Sequence, residues 1–282
     1  MTNSVFVPGH ITGFFTIENH EIKLKNGSCG TGFLLTKGVR TTVSSSDNLT
    51  IEVNQGDSTV IDEVLSIMEL DETGFKIAQD IQLPIGAGFG TSAASALSLT
   101  LALNEFLDLG YSLELCGQIA HMAEVNLGAG LGDVIAQTGS GMVLRTKPGA
   151  PGIGEIQSFN EDVFIGWKTF GEIETSNIIR DPHHMKVIST SGAKYLELFE
   201  KEPTLENFLT FSSKFSHEIN LMSTEVKNLI DYFNSSDDIL GSSMAMLGNT
   251  VFAFAYDEDA FKTSDIENLH IDKLNNVGIT YD

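Results

Sequence analysis

Short apolar runs separated by turn signals fill the first 80 residues, the pattern of a β-rich stretch. The runs are Ile11–Ile17, Ile22–Leu24, Phe33–Leu35, Val39–Val43, Leu49–Val53 and Phe75–Ile81. Asn26-Gly27 and Gln55-Gly56-Asp57 mark turns between them. From Thr59 to Glu69 the pattern is ambiguous and admits a short helix. The period then changes. Leu97, Leu101, Leu103 and Leu107 recur at helical spacing, which predicts a helix over 91–108 that Gly110 ends. A second helix is predicted over 113–126, with Ser112 as N-cap and Glu114 in its first turn. Leu115, Ile119 and Met122 read as its apolar face, and Glu114, Gln118, His121 and Glu124 as its polar face. A strand follows from Gly141 to Thr146. Pro and Gly then concentrate in the segment from Lys147 to Gly154, the best candidate boundary. Beyond it the pattern gives a strand over Val163–Lys168, mostly helix to about 233, and strands near 243–247, 250–256 and 276–281. The expectation is an α+β chain of two domains, 1–150 and 151–282.

The two predicted helices flank the most informative segment, Pro84-Ile85-Gly86-Ala87-Gly88-Phe89-Gly90-Thr91-Ser92-Ala93-Ala94-Ser95. Three alternating glycines feed directly into a helix N-terminus. Glycine lets the backbone approach a ligand closely. The first helical amides have no partner inside the helix, and the dipole is positive there. A phosphate satisfies both. Thr91 and Ser92 can cap the helix, bind a phosphate oxygen or hold a metal ion. An ordinary glycine turn before a core helix is the alternative, and the length of the pattern P-x-G-x-G-x-G-[ST]-S-A-A argues against it.

Composition narrows the partners. With 38 acidic against 16 basic residues the net charge is −22, which repels nucleic-acid backbones and anionic membrane surfaces. Neither nucleic acid nor membrane is therefore expected as a partner, and an anionic substrate has to be met by local donors. Hydrophobic residues make up 41% and mean hydropathy is near zero, enough for a sizeable core. Cys29 and Cys116 are too few for a disulfide framework or a zinc site. The N-terminus has no signal-peptide pattern, and no run approaches the length of a membrane span. The expected location is the cytoplasm.

Glu124 closes one helix, and Asp133 follows the glycine-rich link Gly128-Ala129-Gly130-Leu131-Gly132. Two carboxylates beside a phosphate loop suit metal-assisted phosphoryl transfer. One holds Mg²⁺ through oxygen, and the other orients or deprotonates an attacking hydroxyl. A solvated helix residue and a helix cap are the plainer alternatives. His121, one turn before Glu124, can donate to an anionic substrate. Arg145, at the end of the next strand, can bind a carboxylate in a bidentate way. Ser28, in Asn26-Gly27-Ser28-Cys29-Gly30-Thr31-Gly32, offers a hydroxyl among glycines. The chain lacks G-x-x-x-x-G-K-[ST], a lysine placed as in protein kinases, a Rossmann fingerprint and a G-x-S-x-G elbow.

With these residues in place the chain resembles the GHMP kinase superfamily and, within it, the archaeal pantoate kinases. Val7-Pro8-Gly9-His10-Ile11-Thr12-Gly13-Phe14-Phe15 looks like the first motif, Pro84 to Ala94 like the phosphate-loop motif, and Gly241-Ser242-Ser243-Met244-Ala245-Met246-Leu247-Gly248-Asn249 like the third. The resemblance implies an N-terminal domain like ribosomal protein S5 domain 2, a ferredoxin-like C-terminal domain and an active site between them. It implies ATP and Mg²⁺ as cofactors, and phosphorylation of (R)-pantoate to 4-phosphopantoate in coenzyme A synthesis. By this reading Pro84, Gly86, Gly88, Gly90, Thr91, Ser92 and Ala93 bind the nucleotide. Ser92 and Glu124 hold the metal, and Asp133 and Glu124 are catalytic. Ser28, His121 and Arg145 bind the substrate, and the family suggests a homodimer. The first motif departs from many relatives in lacking a lysine, and no role follows for His10. Another small-molecule kinase, acting on homoserine, mevalonate or shikimate, and a non-catalytic ligand sensor are the competing readings.

Overall fold

Two long antiparallel strands, β1 (Thr2–Phe15) and β2 (Gly30–Ser45), form the spine of the larger sheet. The structure, a computed structural model, describes residues 2–70, 74–171, 182–262 and 266–282. The apolar runs over 33–35 and 39–43 are halves of one strand, because β1 pairs with both across a register shift between Pro8 and His10. β2 then splits its other edge. Its first residues pair with β5 (Met142–Lys147), and its last with β4 (Phe75–Ile81). β3 (Thr50–Val53) runs parallel to β4, β6 (Glu155–Phe159) pairs with β5, and β11 (Thr280–Tyr281) returns to pair with β1.

One face of this sheet packs on α1 (Thr59–Ile67), α2 (Thr91–Leu107) and α3 (Leu113–Leu127). Val5, Val7, Val39, Val43, Phe75 and Ile77 meet Leu97, Leu101 and Leu103 there. α2 is buried at Thr91 and throughout Ala93 to Asn104. Its small and hydroxylated residues allow close approach on all sides, as a central helix requires. Their hydroxyls are satisfied: Ser95 donates to Gln79 at 2.7 Å, and Ser98 pairs with Thr41 at 2.6 Å.

A second, fully antiparallel sheet has the order β10 (His270–Lys273), β7 (Phe164–Thr169), β9 (Thr250–Ala255), β8 (Gly241–Met244). With it go α5 (Pro182–Lys201), α6 (Leu205–Ile219), α7 (Thr224–Asn234) and the short α8 (Asp259–Lys262). Phe33 of β2 stands edge-on against Phe252 and Phe254 of β9, with centroids 5.0 and 4.8 Å apart. The two sheets thus share one apolar core, and the mixed α+β class is as expected.

Several elements differ from the sequence reading. Residues 23–25 form a single 3₁₀ turn, not a strand. The ambiguous stretch after Thr59 is helical, and only residues 280–281 of the last predicted strand pair. The Pro/Gly segment after Lys147 is the turn between β5 and β6 of one sheet, so the change of sheet falls between β6 and β7. The helical reading beyond Lys168 starts partly in 172–181, outside the described residues. Ser112 caps α3 as expected, accepting from the Leu115 amide at 3.3 Å. Both cysteines are buried and free. No described helix is long and apolar enough to cross a membrane.

Candidate active site

The glycine segment links β4 to α2, and Gly86, Gly88 and Gly90 all have positive φ (72, 87 and 59°). Its carbonyls are held by protein donors. Leu83 O accepts from Gln55 Nε2 at 3.0 Å, and Pro84 O from Thr91 Oγ1 at 3.2 Å. Ala87 O accepts from Thr250 Oγ1 at 2.8 Å, Phe89 O from the His10 amide at 2.9 Å, and Gly90 O from Gln137 Nε2 at 2.9 Å. With these five carbonyls engaged by the protein, the loop meets the cleft as a helix N-terminus, whose first amides have no intrahelical partner and whose potential is positive. The third motif supplies part of this bracing. A Cβ on Gly248 would lie 2.0 Å from Ala87 O, so only glycine lets the β8–β9 turn touch the loop. Gly248→Ala is expected to cost about 2 kcal/mol of stability and to raise KM for ATP with little change in KM for the acceptor. Thermal melts and steady-state kinetics check this, and an unchanged Tm and KM would show that the contact is slack.

The acidic pair sits opposite. α3 ends in left-handed Gly128, and the link 128–132 turns into α4 (Asp133–Gln137). Ser92 Oγ donates to Glu124 Oε1, and the Gly130 amide to Glu124 Oε2 at 3.1 Å. Burial pushes the Glu124 carboxyl up to about 7, with Asp133 adding to the rise against the Ser92 and Gly130 bonds. Asp133 behaves in the opposite way. Burial alone would raise it, but the hydrogen bond from His10 and the nearby Arg145 charge hold it below the usual carboxylate range. Two adjacent carboxyls are thereby pushed apart in acidity, the arrangement that separates a titratable group from a standing carboxylate.

Arg145 is 1% exposed. It lies on β5 directly across from Gly30, close to Ser28. A Cβ on Gly132 would stand 2.1 Å from Ser28 Oγ and 2.9 Å from Arg145 Nε. The two donors therefore converge over a bare backbone, and Arg145 Nε has no protein partner. Together these parts form an open cleft, lined by the glycine loop, Ser92, Glu124, residues 128–133, Ser28 and Arg145. Thr12, Phe15, Leu131 and Met246 line it as well.

Not every expected residue reaches the cleft. Pro84 acts through its carbonyl, and Ala93 is buried within α2. His121 is 2% exposed, and its Nε2 lies 3.3 Å from the Lys23 carbonyl, behind the lining. The face assignment of α3 is corrected. Leu115 is 40% exposed, while Cys116, Gly117, Ala120 and Ala123 pack inward with His121 and Glu124. Small residues let α3 lie close to the core, so His121 and Glu124 of the face read as polar are buried, while Glu114 stays exposed and Gln118 half-buried. Sequence reasoning left His10 without a role, yet it is fully buried and hydrogen-bonded to Asp133 at 2.7 Å. Its place in the first motif was the available signal.

Oxygen donors at Ser92 and Glu124 suit Mg²⁺. The described residues contain no group of three or more His, Cys, Asp or Glu able to cage a metal.

The GHMP kinases N terminal domain family matches residues 59–141. Similar proteins include the pantoate kinase of Methanocaldococcus jannaschii, 36% identical over 90% of this chain and 93% of the relative. The pantoate kinase of Thermococcus kodakarensis is 33% identical over 98% of this chain and 93% of the relative. A solved structure described as a phosphotransferase related to the CoA biosynthesis pathway superposes with a TM-score of 0.88 at 31% identity, covering 100% of this chain and 99% of that one. Phosphate loop, acidic pair and third motif occur together on one GHMP fold, and the likeness to these relatives runs nearly end to end. The chain belongs to the GHMP kinase family, in its pantoate kinase branch.

Proposed function

We propose that this protein transfers the γ-phosphoryl group of ATP to the primary hydroxyl of (R)-pantoate, giving 4-phosphopantoate and ADP. The observation that carries the reading is the convergence of Ser28 and the unpaired Arg145 Nε on the same cleft as the glycine loop and Asp133. In a chain of net charge −22, a buried guanidinium open to a cleft is a site for a small carboxylate. The nucleotide phosphates rest on Gly86 to Ser92. Ser92 and Glu124 would hold Mg²⁺, which would neutralise phosphate charge. Asp133 accepts the hydroxyl proton as the new O–P bond forms and the bond to the ADP oxygen breaks. Ser28 and Arg145 bind the pantoate carboxylate and hydroxyls. His121 contributes by fixing the Lys23 to Ser28 segment through the Lys23 carbonyl. The larger sheet with its helices carries the phosphate loop, and the second sheet closes the cleft through the Gly248 turn. A homodimer working in the cytoplasm completes the proposal.

An ADP-release assay with ATP and Mg²⁺ tests it on (R)-pantoate beside homoserine, mevalonate, shikimate and pantothenate. Turnover of pantoate alone is expected. Activity on another alcohol would keep the phosphate site and discard the substrate, and ATP binding without turnover on any acceptor would favour a sensor. Within the enzyme, Arg145→Ala is expected to raise KM for pantoate about a hundredfold with KM for ATP nearly unchanged. A rise confined to KM for ATP would overturn the carboxylate assignment.

A further inference from the structure

His10 stands where three parts of the site meet. It is fully buried on β1, beside the register shift that separates the Pro8 and His10 pairings with β2. Such an irregularity re-aims a side chain out of the regular alternation of a strand. Its amide donates to Phe89 O of the glycine loop at 2.9 Å. Its ring bridges the two charged groups of the acceptor end, with Nδ1 2.7 Å from Asp133 Oδ1 and Nε2 3.3 Å from Arg145 Nη1. Room for the ring exists because residue 32 is glycine. A Cβ there would lie 2.4 Å from His10 Nε2.

The chemistry of the neighbours fixes the proton. A guanidinium only donates, so Nε2 has to be the bare, accepting nitrogen. Nδ1 then carries the hydrogen and donates it to Asp133 Oδ1. This engages one carboxylate oxygen and leaves Oδ2 for the substrate. Oδ2 lies beside Gly130, where a Cβ would come within 2.6 Å of it, and the Asp133 side chain keeps 24% of its surface open. Building on the kinase reading above, we propose that His10 is a positioning residue. It is a neutral Nδ1–H imidazole that aims Asp133 Oδ2 at the acceptor hydroxyl and links that carboxylate to the buried charge of Arg145.

Two conservative variants separate the two halves of the bridge. In His10→Asn the amide nitrogen can take the place of Nδ1 and still donate to Asp133, while the link to Arg145 is lost. In His10→Gln the amide oxygen can reach the place of Nε2 and still accept from Arg145, while Asp133 loses its donor. The expectation is that His10→Asn keeps kcat within about tenfold of the wild type, and His10→Gln loses about a hundredfold. KM for ATP should be little changed in both. A role in packing alone would make the two losses equal, or would make the Asn variant worse, and either result overturns the proposal. A second measurement needs no variant to fold. Nitrogen-15 histidine NMR of the full wild-type chain should show His10 neutral at pH 7, with hydrogen on Nδ1 and none on Nε2. An Nε2–H ring or an imidazolium would overturn the bridge whatever the substrate is. Conversely, a wild type that does not turn over pantoate while showing the Nδ1–H ring would overturn the substrate and keep the bridge.

Discussion

Asp133→Asn is expected to lower kcat roughly a thousandfold while the protein stays folded and KM for ATP changes little. The reasoning starts from what asparagine keeps. Its carbonyl can still accept from His10 Nδ1, so the side chain stays in place and the bridge to Arg145 survives. What is lost is the proposed acceptor for the hydroxyl proton and the negative charge. The transition state of phosphoryl transfer is loose, so positioning carries much of the catalysis and the base a limited share. That limits the loss to a few orders of magnitude. Removing the charge also lifts repulsion against an anionic acceptor, so KM for pantoate should hold or fall. Single-turnover kinetics and a thermal melt check both halves. A kcat near the wild type would remove Asp133 from the reaction. A melted protein would leave the loss of activity uninformative, and Asp133→Glu, which keeps the charge but displaces the oxygen, would then serve in its place.

Much of this site could be read in the chain because its chemistry is local. Gly86 to Ser92 form a loop and a helix start within a few residues, and their spacing alone states that geometry. Glu124 and Asp133 are separated by a glycine-rich link, which predicts a tight return. What could not be read depends on distant pairing. Thr36 to Gly38 looked like a break between two strands, but β1 pairs on both sides of it and keeps β2 continuous. The faces of α3 differ from the periodic expectation, because leucine at 115 suggests burial when periodicity is the only guide. The true inner face is built of Cys116, Gly117, Ala120 and Ala123, and small residues carry a weak hydrophobic signal. His10 shows the limit most clearly. Its partners, Asp133 and Arg145, are 123 and 135 residues away, and only the folded sheet brings them to one ring. The same holds for Gly248, whose need to be glycine follows from a contact with Ala87 that no local pattern encodes.

Glu124→Gln should stabilise the protein and disable it at once. The Glu124 carboxyl has an ordinary value of 4.5 and is pushed up to about 7 by burial. Below pH 4.5 both the folded and the unfolded chain hold its proton, and the buried neutral acid costs nothing extra. Between 4.5 and 7 only the unfolded chain releases the proton, so this contribution to stability falls as pH rises. Above pH 7 the full difference, on the order of 3 kcal/mol, has been lost. Glutamine imitates the protonated acid at every pH. Its amide can donate to Ser92 Oγ while its carbonyl accepts from the Gly130 amide. At pH 8 without metal the variant should therefore melt several degrees above the wild type, and at pH 4.5 the two should melt together. Mg²⁺ with nucleotide should raise the wild-type melting temperature more than that of the variant, because the ion binds the carboxylate and relieves its burial. The same substitution removes the proposed metal ligand, so kcat should fall by about two orders of magnitude or more. A variant that melts with the wild type at pH 8 would show that the carboxylate is well solvated in the folded state. A variant that keeps full activity would move the metal to other oxygens. Stability gained where function is lost is the behaviour expected of a charge held in place for chemistry.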